Sequence, residues 1–169
     1  MDSATIRPGT RRKLKSLRVQ FNQGTAEDTA LIGASLRPLD AAVVRKLGLP
    51  AGKLVAYSHS VSTEVWTLRC LETGDRLAVL GIGPKFTVGE STMLGMWLFG
   101  TKGLDRVLRR SVRGTLQAAR LIVQDIVAKH GRVGNILTAN VKKSCLPFIR
   151  ALGGRGFALK NKDILWWIG

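Results

Sequence analysis

Acidic residues are scarce in this chain: 11 Asp and Glu face 27 Lys and Arg, leaving a formal net charge of +16 over 169 residues. So little negative charge excludes a self-neutralised surface and points to an anionic partner, whether nucleic acid, anionic lipid or an acidic protein. Cysteine is limited to Cys70 and Cys145, which fit no metal-ligand spacing and are expected as free thiols. A single tyrosine, Tyr57, and two histidines, His59 and His130, leave few of the side chains that commonly move protons. No apolar run approaches the ~20 residues that cross a bilayer, so no membrane span is expected. The opening MDSATIRPGTRRKLKSLR lacks the apolar core of a signal peptide, so export is not expected either. Internal repeats are absent.

What is present suits an ordered domain, and a chain of this length buries roughly 70 % of its unfolded surface. Residues 1–25 carry Arg7, Arg11, Arg12, Lys13, Lys15 and Arg18 with few large apolar side chains. They read as a basic N-terminal arm, extended apart from one helical turn near Lys13–Val19, ahead of a single domain over 26–169. Ala34–Arg37 reads as a short strand. Leu39, Val43, Val44 and Leu47 recur at helical spacing before Gly48. Leu54–His59 fits helix or strand. Glu64–Leu71 and Arg76–Gly83 flank a Glu72–Asp75 loop whose Gly74 suits a positive φ, the pattern of an antiparallel hairpin. Pro84–Glu90 reads as a loop, and Thr92–Phe99 as a strand covered on both faces.

The longest predicted helix runs from Leu104 to Lys129. Leu104, Val107, Leu108, Leu116, Ile122, Val123, Ile126 and Val127 form its apolar stripe. Arg106, Arg109, Arg110, Arg113, Gln117, Arg120 and Gln124 recur on the other side as one cationic row. Arg132–Thr138 follows as a strand. A helix capped by Ser144 places Pro147 in its first turn, where amides lack intrahelical partners. Gly153-Gly154 stops it, and Arg155–Lys160 with Ile164–Ile168 forms a closing hairpin. The neighbours Trp166 and Trp167 must then face opposite sides of a strand.

The segment Asn135–Asn140 followed by Phe148-Ile-Arg-Ala-Leu-Gly153 resembles the strand–Asn–helix–Leu-Gly ending of the GNAT acyltransferases. More narrowly, Arg37-Pro38-Leu39-Asp40, the run Trp97–Thr101 entering a basic helix, and the paired asparagines resemble the GNAT-like internal virion proteins of short-tailed phages. The resemblance covers about residues 35–169. It implies an α+β fold: a mixed β-sheet, a long central crossover helix, and a strand–helix–hairpin ending. The strands Thr92–Phe99 and Arg132–Thr138 should then run parallel and splay apart.

For function, the resemblance implies an acetyl-CoA phosphate loop at the start of the central helix, here Gly100-Thr101-Lys102-Gly103. The family's Q/R-x-x-G-x-G/A pattern is absent there, and Asp105 in the first turn would repel a phosphate. The family's leaving-group tyrosine falls on Phe148 or Ile149. Glu90 and His59 are the candidate bases, and Asn140, with Asn135, is a candidate cofactor contact. Three functions follow. The first is a virion or assembly protein, in the particle and in host cytoplasm during assembly, forming an oligomer with other virion proteins or contacting packaged DNA. It needs no cofactor. The second is an active N-acyltransferase using acetyl-CoA. The third is a nucleic-acid-binding module. In the first and third, Arg11, Arg12, Lys13, Arg106, Arg109, Arg110, Arg113 and Arg120 would make the polyanion contact.

Overall fold

A computed structural model of the protein describes residues 6–137, 146–158 and 164–168. Seven strands form one sheet: β1 (Val19–Gln23), β2 (Glu64–Cys70), β3 (Arg76–Val88), β4 (Ser91–Gly100), β5 (Val133–Leu137), β6 (Arg155–Ala158) and β7 (Ile164–Ile168). Their spatial order is β1-β2-β3-β4-β5-β7-β6, antiparallel at every junction except the parallel pair β4 and β5. A parallel pair cannot be closed by a tight turn. Two helices, α5 (Lys102–Arg110) and α6 (Val112–His130), make the crossover. The mixed sheet expected from sequence is therefore present.

The crossover is not one helix. Ser111 leaves helical geometry at φ −154° and ψ 81°, and its hydroxyl accepts from the Gly114 amide at 3.2 Å to cap α6. Serine competes with the helix ladder in this way wherever its side chain can bond a nearby amide. A Cβ on Gly114 would meet Ser111 Oγ at 2.6 Å and Leu17 Cδ2 at 3.1 Å, so the glycine also admits the chain before β1. The cationic row is thus divided, with Arg106, Arg109 and Arg110 on α5 and Arg113 and Arg120 on α6.

The basic arm is likewise built into the domain. Pro8–Ser16 forms α1, Leu14 is buried against Leu77, Leu104 and Ala118, and β1 extends the sheet along β2. Arg7 and Thr10 supply the anchor. The Arg7 amide donates to Asp125 Oδ2 at 3.0 Å, its guanidinium pairs with Oδ1, and Thr10 Oγ1 donates to Oδ2 at 2.7 Å. The sequence hid this because Asp125 lies 115 or more residues away on the buried side of α6.

Three helices, α2 (Ala26–Ala34), α3 (Pro38–Lys46) and α4 (Ala51–Ser60), fill the span between β1 and β2. The strand expected at Ala34–Arg37 is reduced to one bridge, Leu36 to Thr101. Thr25 and Asp28 form a reciprocal capping box that starts α2 further upstream. β3 runs on to Val88, through residues expected as a loop. Gly74 has φ +73°, as its hairpin requires. Trp166 is buried and Trp167 half-buried. Pro147 lies in a short helix over residues 146–151, named α7, while Ser144 lies outside the described residues. The main core joins Trp66, Ile82, Met96, Ile126, Val133 and Trp166 between the central strands and α6.

Candidate functional site

The parallel pair holds together over a short length. Leu94 faces Val133 and Gly95 faces Gly134, and the Leu94 amide donates to the Arg132 carbonyl at 3.0 Å. A continued ladder would bring the amide of residue 136 to the Met96 carbonyl. That carbonyl accepts instead from Asn135 Nδ2 at 2.9 Å. The strands have parted there, and a side chain spans the gap. Trp166 lies opposite Asn135 on β7, and its indole Nε1 is buried without a partner among the described residues. A buried N–H in that condition costs roughly 1–3 kcal/mol until an acceptor reaches it.

The next part of the site is the start of α5, where a helix terminus offers amides to an anion. Here the chain fills the position itself. The Gly100 amide donates to Asp40 Oδ2 at 2.7 Å, the Thr101 amide to the Leu77 carbonyl at 2.8 Å, and the Gly103 amide to Thr101 Oγ1 at 3.2 Å. The Leu104 amide bonds the Thr101 carbonyl at 3.0 Å. Both glycines admit a neighbouring leucine: a Cβ on Gly100 would meet Leu104 Cδ2 at 2.6 Å, and one on Gly103 would meet Leu77 Cδ2 at 2.8 Å. Lys102 is exposed.

Asp40 belongs to a staple that ties α3 to α5. Arg37 Nε donates to Asp40 Oδ2 at 2.8 Å and Arg37 Nη1 to Asp105 Oδ1 at 3.2 Å. The Arg37 and Asp40 side chains are 12 % and 9 % exposed, so the pair is largely desolvated. Burial works against the Arg37 charge, but Asp40 and Asp105 outweigh it and hold the guanidinium above its usual pKa. Asp105, expected to repel a phosphate, is Arg37's second partner. The Arg-Pro-x-Asp spacing was visible in the sequence. Its structural use was not, because Gly100 and Asp105 complete it from some 60 residues away.

A second buried carboxylate performs similar work. Asp28 receives Thr67 Oγ1 at 3.0 Å, the Thr25 amide at 3.3 Å, and the guanidiniums of Arg69 and Arg76. Burial alone would raise its pKa. The bonds from Arg76, Thr67 and Thr25, with the charge of Arg69, bring it down to about 2.

The other candidates are dispersed. His59 sits on α4 with its Nδ1 2.7 Å from Thr29 Oγ1, a bond that holds α4 to α2. Glu90 is exposed in the turn between β3 and β4. That turn and the start of α5 lie at opposite ends of β4, about 30 Å apart at ~3.3 Å per residue. Glu90 lies beyond the end of β4 remote from α5, His59 is bonded to Thr29, and Asn140 lies outside the described residues. At the tyrosine position, Phe148 is exposed and Ile149 buried.

The cationic residues divide between two surfaces. Arg12, Lys13, Arg106, Arg109, Arg110 and Arg113 make no ion pair among the described residues. Arg11 donates to the Ile6 carbonyl at 3.1 Å, and Arg120 to the Ala151 carbonyl. Arg120 therefore fastens α7 to α6.

No family model and no curated protein matches the chain. Solved structures do. The chain is similar to an acetyltransferase of the GNAT family from Bacillus anthracis, at 10% identity and TM-score 0.55, over 89% of this chain and 94% of that one. It is similar also to an acetyltransferase from Agrobacterium tumefaciens str. C58, at 16% identity and TM-score 0.54, over 90% and 91% of the two chains. A spermidine N-acetyltransferase SpeG chimera from Vibrio cholerae and hSSAT matches at 7% identity and TM-score 0.55, over 89% and 95%. At such identities the likeness is one of fold, and the fold is that of the GNAT acetyltransferases.

Proposed function

We propose that the chain is an N-acyltransferase that takes its acyl group from acetyl-CoA lodged where β4 and β5 part. The observation that carries this reading is the end of the parallel ladder at Gly95 and Gly134, with the Asn135 side chain reaching across to the Met96 carbonyl. The amide-bearing arm of the cofactor suits that gap, since it can exchange hydrogen bonds with strand backbone, and the Trp166 indole offers it a buried donor. The cofactor's diphosphate is less well served. Four backbone donors around the start of α5, those of Gly100, Thr101, Gly103 and Leu104, are already bonded within the chain.

In the transfer, an acceptor amine attacks the thioester carbonyl, the C–S bond breaks, the amine gives up a proton and the thiolate takes one. His59 is engaged by Thr29, Glu90 lies in the exposed turn between β3 and β4, and Phe148 and Ile149 bring no hydroxyl. Among the described residues no side chain is placed to move either proton, so on this reading both are exchanged with solvent and the amine arrives neutral. Rate should rise with pH up to the acceptor's own pKa. The test is thiol release from acetyl-CoA across a panel of primary amines. Saturable release is expected, reduced at least tenfold in Asn135→Leu with the circular dichroism unchanged. Absence of release and of binding up to millimolar acetyl-CoA would defeat the reading.

A second reading is favoured by the filled anion position at α5 together with the unpaired cations on α1, α5 and α6. In it the fold is a scaffold, and the basic face meets packaged DNA or neighbouring proteins of a phage particle. Loss of particle assembly in an Arg109→Gln/Arg113→Gln variant, with acetyl-CoA binding absent from the wild type, would favour it.

A further inference from the structure

The cations that sequence placed in one row are rearranged by the fold into the walls of a groove. α1 lies along α6, and between them is an open cavity of about 650 Å³ lined by Arg12, Lys13, Ser16, Gln117 and Gln124. At the Ser16 end it adjoins a smaller hollow of about 270 Å³, lined by Arg18, Val107, Arg110 and Ser111. Together they follow α6 from Ser111 to Gln124, roughly 20 Å at 1.5 Å per residue. The break at Ser111 is what turns Arg110 toward this hollow and away from a continuous row.

The groove's electrostatics are one-sided. Its single lining carboxylate, Asp125, is 3% exposed and already receives the Arg7 amide, the Arg7 guanidinium and Thr10 Oγ1. Arg12, Lys13 and Arg110 have no acidic partner among the described residues. Three unneutralised cations beside two side-chain amides make a surface that an anionic chain would complete. Arg18 is held by Glu72 and adds less.

We infer that this groove receives the phosphodiester backbone of a nucleic acid, independent of base sequence. A docked acidic protein is a poorer fit, because interface hot spots are rich in aromatic anchors and the groove walls, though they include Leu17, Val107 and Leu121, carry no aromatic side chain. The same lack removes stacking platforms for unpaired bases, so the phosphates supply the binding. Duplex DNA carries one charge per ~1.7 Å of axis, so a groove of this length spans several phosphates. This inference rests on the second reading of function and is independent of acyl transfer.

The test compares two variants with equal loss of charge. Arg12→Gln/Lys13→Gln/Arg110→Gln empties the groove of its unpaired cations. Arg45→Gln/Lys53→Gln/Lys85→Gln removes three exposed cations from α3, α4 and β3. Binding to a mixed-sequence duplex is measured by fluorescence anisotropy at several salt concentrations, with a scrambled duplex, a single strand and poly-glutamate alongside. The wild type should bind both duplexes alike. The groove variant should flatten the logarithmic salt slope by nearly three, at ~0.9 counterion per phosphate, and the control variant by less than one. Equal losses in the two variants would mean diffuse charge and overturn the groove while leaving a DNA-binding surface. Wild type that ignores DNA, or prefers poly-glutamate, would overturn the nucleic acid itself. Should the triple variant misfold, Arg12→Glu alone gives the same comparison against Lys53→Glu.

Discussion

The start of α5 and the groove between α1 and α6 are two anion-attracting places built in opposite ways. At α5 the chain supplies its own anion: Asp40 sits on the Gly100 amide and on Arg37, and Asp105 completes the pair. In the groove the one carboxylate is turned inward to Arg7 and Thr10, and the neighbouring cations stay unpaired. A scarcity of acidic residues does not act evenly. Asp28, Asp40, Asp105 and Asp125 are all committed to guanidinium partners within the fold, which leaves cations elsewhere on the surface unmatched. Closed sites add stability, and open ones add affinity for partners.

The largest expected effect comes from opening the closed site. Asp40→Ala leaves the largely buried Arg37 with Asp105 as its one remaining acidic partner among the described residues and the Gly100 amide without an acceptor, which should cost about 3 kcal/mol in urea unfolding. Added pyrophosphate should recover part of that loss in the variant and stabilise the wild type much less. If pyrophosphate stabilises both alike, the Gly100 amide ahead of α5 is not held by Asp40 in solution.

Acid should distinguish Asp28 in the same sense. Its folded pKa is depressed to about 2, below the ~3.9 of an unfolded aspartate. Its contribution is therefore complete above pH ~5 and is lost as pH falls through the folded value. Roughly 2 kcal/mol of wild-type stability should disappear between pH 5 and 2 on this carboxylate's account. Asp28→Asn should be less stable than wild type at pH 7 and show a shallower acid slope.

Smaller effects test the joints. Ser111→Ala removes the α6 cap and should cost about 1 kcal/mol. Thr10→Val should cost about as much by leaving Asp125 one donor short. The groove variants should change the unfolding free energy by less than about 0.5 kcal/mol, since exposed cations contribute little to stability.

The strands β2 to β5 and the closing hairpin were legible because apolar periodicity and turn glycines are local signals. Gly74 and the Val- and Leu-rich runs are examples. The parallel pairing of β4 with β5 was implied instead by the resemblance to the GNAT acyltransferases. What stayed hidden depends on distant partners. Basic residues 7–18 read as an arm until Asp125, Leu77 and Ala118 are brought against them. Leu104–Lys129 reads as one helix because the break at Ser111 is set by a side-chain cap and by Leu17 against Gly114. The apolar period crosses that break almost undisturbed. At the site, the glycines of Gly100–Gly103 suggested a phosphate loop, yet their contacts are with Leu104 and Leu77. Glycine reports that something comes close, and only the fold tells what it is.

The most direct test compares acetyl-CoA with S-acetylpantetheine by calorimetry at about 0.15 M salt. An α5 entry whose donors are mostly taken by Asp40, Leu77 and Thr101 predicts that both bind, and that removing the nucleotide diphosphate weakens binding by no more than about tenfold. Each phosphate contact to a helix amide would be worth roughly 1.5–3 kcal/mol, so several of them amount to far more than that. Acetyl-CoA binding at micromolar affinity, with S-acetylpantetheine weaker by a thousandfold, would contradict the closed α5 site. No binding by either ligand would contradict the acyltransferase reading itself.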